Sequence, residues 1–329
     1  MSLKIIAAAF CLSCVWLFGV ASGAEEFNIY LKTSPALELL RPFADPVNIS
    51  LLVTHADGRP VEQGKVSIVL DAPQSGAFLS TDFPAVEGSR LLELVLPLRQ
   101  GRVQWKYLFP IRGEYRLAVN LVTADGRIQA RNFVLPVLEN RTKWLWLGSF
   151  CVGLFLFGLA AGRIFTGVPA IVAAALLWLF LGTIPSVIGH DGKTSAEKHP
   201  SPSTALEIAA ATVGKPTRLH WHGTDGDGAM TLLSLSIFHL EKQKTVFAID
   251  KVPVGGEYNF DFHFPDGAEY RVNSVAEVAG REPVRSEQLV AVNGVEPAMT
   301  TQIPALFLFL AVIALGLGAG RFSKTLAQS

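Results

Sequence analysis

Apolar positions follow two rhythms along this chain. Between Glu25 and Lys143 they alternate with polar ones at a period of two, in short stretches that stop at turn residues. Val47 to Leu51 runs toward Asp57-Gly58, Val66 to Leu70 stops near Pro73, and Val103 to Tyr107 precedes Pro110. Tyr115 to Leu121 reaches Asp125-Gly126 and is followed by Ile128 to Val137. Alternation puts every second side chain on one face of a strand, so this segment predicts about seven short antiparallel strands in a sandwich of immunoglobulin-like type. The segment from Gly189 to Gln302 opens with a polar linker, His190 to Thr204. It then alternates again over Arg218–His222, Thr231–Leu240, Thr245–Ile249, Tyr258–Phe264, Tyr270–Glu277 and Gln288–Val292. A second, smaller sandwich of the same class is expected there.

The other rhythm is unbroken apolarity. Trp144 to Ala161, Val168 to Ile188 and Ile303 to Gly320 hold no charged side chain, and as helices they would cover about 27 to 32 Å, the thickness of a bilayer's hydrocarbon core. The first two are close enough in sequence to form a hairpin. The amino end combines Lys4, an apolar stretch and Ala21-Ser22-Gly23-Ala24, the pattern of a secretory signal peptide. The organisation expected is therefore a signal peptide (1–24), a first exterior β-sandwich (25–143), a transmembrane helical hairpin (144–188), a linker with a second exterior sandwich (189–302), a third transmembrane helix (303–320) and an interior tail (321–329). Arg163 and Arg321, after the first and third spans, agree with the positive-inside bias.

The sequence also repeats itself. Gly113-Glu114-Tyr115 precedes an apolar run ending Gly158-Leu159-Ala160-Ala161-Gly162-Arg163, and Gly256-Glu257-Tyr258 precedes one ending Gly316-Leu317-Gly318-Ala319-Gly320-Arg321. This reads as a duplicated module of exterior domain plus anchor. Glycines four apart let helix backbones approach closely, so Gly158, Gly162, Gly316 and Gly320 are the candidate helix-packing residues.

Composition narrows the setting. Twenty-eight basic and 28 acidic residues cancel to a formal net charge of zero, which gives no electrostatic reason to expect a nucleic-acid partner. Cys11, Cys14 and Cys151 all lie in the leader or an apolar run, so the exterior segments hold no disulfide. Exported domains of this size without disulfides point to a bacterial inner-membrane protein facing the periplasm.

Histidine is the one asymmetric chemical signal. His55 is the single histidine of the first exterior segment, whereas His190, His199, His220, His222, His239 and His263 fall in the second. His220 and His222 are two apart in a predicted strand and so share a face, as a strand-borne metal site requires. Alternation over Tyr258–Phe264 puts His263 and Asp261 on the solvent side, and Met230 is a soft donor close in sequence. His220, His222, His263 and Met230 are the candidate ligands for copper or zinc, set against the alternative of scattered surface histidines. No nucleophile turn or phosphate-cradling loop is present. Asp225-Gly226-Asp227-Gly228 departs from a calcium loop at Ala229 and Met230. Asp266 and Glu269 read as turn residues, and no catalytic residue is expected.

His220-Trp221-His222-Gly223 resembles one copper-ligand motif of multicopper oxidases, without the further His-x-His motifs and exterior cysteine those enzymes require. Gly-Glu-Tyr leading into an alternating strand on a membrane-tethered sandwich resembles the YtkA-like and CopC-like periplasmic domains, which implies a setting near copper handling or oxidase assembly. The expected function is a non-enzymatic interaction or assembly module whose partners are the membrane and another membrane or periplasmic complex. A copper-binding accessory and an accessory subunit of a transporter are the alternatives.

Overall fold

The computed structural model describes residues 27–76, 80–164, 206–223, 230–295 and 299–326. The expected leader, the span from Val168 to Ile188, the polar linker and Asp225-Gly226-Asp227-Gly228 lie outside them. The described residues are mainly antiparallel β-structure with two apolar helices. The first segment supplies β1 (Phe27–Ser34), β2 (Val47–His55), β3 (Gln63–Asp71), β4 (Arg90–Arg99), β5 (Arg102–Tyr107), β6 (Gly113–Thr123) and β7 (Ile128–Val137). The second supplies β8 (Leu206–Ile208), β9 (Thr217–His222), β10 (Met230–His239), β11 (Lys244–Gly255), β12 (Glu257–Phe262), β13 (Glu269–Val278) and β14 (Val284–Ala291).

Each segment folds by the same plan. In the first, β1-β2-β5 form one sheet and β4-β3-β6-β7 the other. In the second, β8-β9-β12 and β11-β10-β13-β14 pair in the same way. Alternate residues of both sheets are buried against one another, as Val66, Ile68 and Leu70 are in β3 and Leu233, Leu235 and Ile237 in β10.

The structural copies are not in the register that the Gly-Glu-Tyr match suggests. Tyr258 lies in β12, the counterpart of β5. The counterpart of Tyr115 is Tyr270, because Tyr115 pairs across to Leu135 at the start of β6 while Tyr270 pairs to Val290 at the start of β13. The longer match, Phe109-Pro110 with Gly113-Glu114-Tyr115-Arg116 against Phe264-Pro265 with Ala268-Glu269-Tyr270-Arg271, follows this register. In the first copy the Tyr115 hydroxyl donates to the Ile111 carbonyl at 2.7 Å and accepts from the Ile111 N–H at 2.9 Å. That is the tyrosine corner of immunoglobulin-like sandwiches.

The two sandwiches do not stand apart. At their junction β5 pairs with β11, through Tyr107↔Phe247 and Lys106↔Ala248, and β4 pairs with β12, through Leu92↔Phe262 and Glu93↔Asp261. Since β5 corresponds to β12 and β4 to β11, the seam is a local pseudo-twofold contact in which equivalent strands exchange places, as in an isologous dimer. Two seven-stranded layers result, β1-β2-β5-β11-β10-β13-β14 and β7-β6-β3-β4-β12-β9-β8, linked by the Arg99↔Arg102 bridge of the β4–β5 hairpin. The Leu108 N–H donates to the Val246 carbonyl at 2.8 Å, and its counterpart on His263 donates to Leu91 at 2.9 Å. Phe247 and Phe262 pack at a tilt across the layers with centroids 5.8 Å apart, and Tyr107 meets Phe262 edge-on at 6.5 Å. Each of these buried rings contributes on the order of 2 kcal/mol. Separating the halves would expose all of them together with four strand edges, so one core runs through both.

Two apolar helices leave this β-body: α1 (Arg141–Ile164) and α2 (Met299–Leu326). Their contacts keep step along both chains, from Phe150 against Phe309 to Arg163 beside Ser323, so they run parallel. A Cβ on Gly158 would lie 2.6 Å from the Ile313 carbonyl oxygen, and Cβ atoms on Gly162, Gly316 and Gly320 would collide with the carbonyls of Leu317, Phe155 and Leu159. Both helices are long and apolar enough to cross a membrane by length and composition.

Candidate functional site

The outer face of β8, β9 and β12 gathers the histidine pair. Thr217, Leu219 and Trp221 of β9 are buried in the core, and the pleat therefore turns Arg218, His220 and His222 outward. The imidazoles of His220 and His222 lie side by side with ring centroids 3.6 Å apart. On one flank β8 sets Glu207 opposite His220, and on the other β12 sets Glu257 opposite His222. The close approaches are diagonal: His222 Nε2 is 3.9 Å from a Glu207 carboxylate oxygen, and His220 Nε2 is 3.8 Å from one of Glu257. One donor atom each from Glu207, His220 and His222 falls within 4.8 Å of the other two. His220 Nε2 is out of contact with solvent and makes no hydrogen bond.

Neither protein-family models nor curated protein sequences give a match to this chain. Among solved structures it is similar to latent dimeric PorU from Porphyromonas gingivalis (8% identity, TM-score 0.27, covering 83% of this chain and 24% of that one). Similarity also extends to the native conformation of alpha-2-macroglobulin from E. coli (10%, 0.26, 82% and 16%) and to red sea bream transglutaminase (8%, 0.21, 82% and 32%). The chain spans less than a third of the length of each. Likenesses of this degree say nothing of this chain's function.

The structure does not bring His263 to the histidine pair. β12 ends at Phe262, and the alternation that would turn the next side chain outward ends with it, leaving His263 only 1% exposed in the seam. There its Nε2 accepts the Gly214 N–H at 2.8 Å and its Nδ1 lies 3.0 Å from Ser89 Oγ, which in turn donates to the Val86 carbonyl at 2.7 Å. Burial pushes its pKa below the ordinary imidazole value, against a smaller opposing effect of a backbone hydrogen bond to Arg90. With both ring nitrogens engaged, His263 is a seam residue. Met230 opens β10 in the other layer, paired with Gly255 and 73% exposed.

A second polar cluster lies at the corner preceding β13. Asp266 accepts from Tyr270, from Lys242 Nζ at 2.6 Å and from His239 Nε2 at 3.2 Å. Burial alone would push the carboxyl up, but the hydrogen bonds from His239, Lys242 and Tyr270 together outweigh it and hold the group well below the usual carboxylate range. Lys242 also sits 3.6 Å over the Phe43 ring of the first half, and Lys244 Nζ donates to the Phe43 carbonyl at 2.9 Å. This cluster locks one end of the seam.

Sequence reasoning missed Glu207 and Glu257 as members of the histidine site. Glu207 belongs to a three-residue strand too short for periodicity to show, and Glu257 was read only as part of the repeat. The four glycines, by contrast, all lie where α1 and α2 meet.

Proposed function

We propose that this chain is a non-enzymatic bacterial inner-membrane protein that presents its β-body in the periplasm as an interaction or assembly module for another membrane or periplasmic complex. The observation that carries this reading is the short, tied joint between body and helices. β7 ends at Val137 and α1 starts at Arg141. Across that step Arg112 donates to Glu139 at 2.8 Å and lies 5.5 Å over the Trp144 ring, while Lys143 pairs with Asp82 of the body. These contacts tie the helix to the body. The helices support membrane placement: Leu145, Trp146, Phe157, Phe307 and Leu315 are more than half exposed, an apolar belt suited to lipid. Trp144 and Trp146 sit at the body end, as interfacial aromatics do, and Arg163, Arg321 and Lys324 at the other.

The broad outer face of the β1-to-β14 layer is the surface offered. It holds a shallow groove of about 870 Å³ that spans both halves, lined by Tyr30, Lys32, Gln104, Ser236 and Asn273 among others. Two measurements test the proposal. Cysteines placed at Glu269 and Lys324 should react with an impermeant reagent in intact spheroplasts at Glu269 only. A photo-crosslinking residue at Gln104 should give discrete heavier adducts that the same residue at Asp57 does not. An interior signal at Glu269, or the same absence of adducts at both sites, would contradict the reading.

A further inference from the structure

We infer that Glu207, His220 and His222 form a binding site for one divalent late first-row ion, copper(II) or zinc, with Glu257 within reach of a fourth position. The inference is independent of the presentation role. Two imidazoles and a carboxylate are a donor set that suits these ions. Metal–ligand bonds of about 2.0 to 2.2 Å put donors on opposite sides of an ion roughly 4 Å apart, so donors within 4.8 Å of one another need only small side-chain rotations to close.

Three further observations favour a built site over chance. His220 Nε2, screened from solvent and without a hydrogen bond, has a Glu257 carboxylate oxygen 3.8 Å away, a gap of the kind that an ion or a water would bridge. His220 and His222 are held on a strand anchored by buried Leu219 and Trp221, so their mutual placement is fixed by the sheet. The duplication also supplies an internal control. In the first half the four corresponding places hold Lys32 opposite Ser50 and Leu52 opposite Arg102, where the second holds Glu207 opposite His220 and His222 opposite Glu257. The same strands form with either set, so the fold does not require the histidines and glutamates. The first set, with two cations, cannot hold a metal ion.

The test uses the full chain in detergent, stripped of metal with a chelator and titrated with zinc or copper(II) by calorimetry. One ion per chain is expected. Paramagnetic resonance of the copper(II) form should show coupling to imidazole nitrogens. The paired change His220→Ala and His222→Ala should abolish this binding, and Glu207→Gln should weaken it about tenfold or more, whereas Ser50→Ala should leave it intact. Should the paired variant fail to fold, His222→Gln alone, checked for an unchanged melting point without metal, serves in its place. Binding retained by the folded histidine variants, or a copper signal without nitrogen coupling, would overturn the inference.

Discussion

Tyr115 and Tyr270 stand at the same corner of the two halves, yet their hydroxyls bond differently. Tyr115 closes on the backbone of Ile111, whereas Tyr270 donates to the side chain of Asp266, which also holds Lys242 and His239. Leu108 and His263 occupy equivalent seam positions, one apolar and one hydrogen-bonded on both nitrogens. On the outer face Lys32, Ser50, Leu52 and Arg102 of one half answer to Glu207, His220, His222 and Glu257 of the other. The buried apolar framework is thus common to both halves, and the histidine chemistry is concentrated in the second. A sandwich needs the first to fold; the second can diverge wherever it faces water or finds new partners. What the halves share should fail alike when disturbed, and what they do not share should fail in one only.

The largest effect is expected where the copies match. Gly162→Leu and Gly316→Leu each drive a branched side chain into the facing helix backbone, with Leu317 and Phe155 carbonyls in the way. Each should cost about 3 kcal/mol, the upper range for overpacking, in chemical unfolding of the protein in detergent. Gly318→Leu, where nothing lies within 4 Å, should cost almost nothing. Equal stability of all three variants would show that the helices do not pair through these faces.

A smaller effect should separate the two corners. Asp266→Asn weakens three hydrogen bonds to a carboxylate and should cost about 2 kcal/mol near neutral pH. Because the native pKa of Asp266 lies below its unfolded value of about 3.9, the carboxylate's contribution is complete above about pH 4 and is lost as pH falls through the native value. Unfolding curves of the parent and Asp266→Asn should therefore differ at neutral pH and converge in strong acid. A gap that persists unchanged into acid would mean that the side-chain shape, and not its charge, matters at this corner.

Much of the framework was legible because half-buried strands write their burial at a period of two, as Tyr115 to Leu121 and Tyr270 to Glu277 do. β4 escaped that reading because Leu91 and Leu92 are both buried next to a register shift at Leu70/Asp71, and β8 because three residues make no pattern. The seam was not legible at all. Leu92, Tyr107, Phe247 and Phe262 are apolar and buried whether their strands end a domain or continue into the next, since pairing between strands far apart in sequence leaves no local mark. The same limit misplaced His263, whose side follows from where β12 stops. The helix glycines could be found because a spacing of four is itself the contact geometry. His220 and His222 were found by their spacing of two, but Glu207 and Glu257 reach them only through strand pairing.

The two copies join through equivalent strand edges into one cooperative body. Amide hydrogen exchange at Leu108 and His263 tests it most directly, because these N–H groups cross the seam at equivalent places, to Val246 and Leu91. Both should exchange only through global unfolding, with the same opening free energy as core amides such as Leu117 of β6 and Val272 of β13. Exchange of the two seam amides through a cheaper opening, while Leu117 and Val272 stay protected, would contradict it and leave two sandwiches that merely touch.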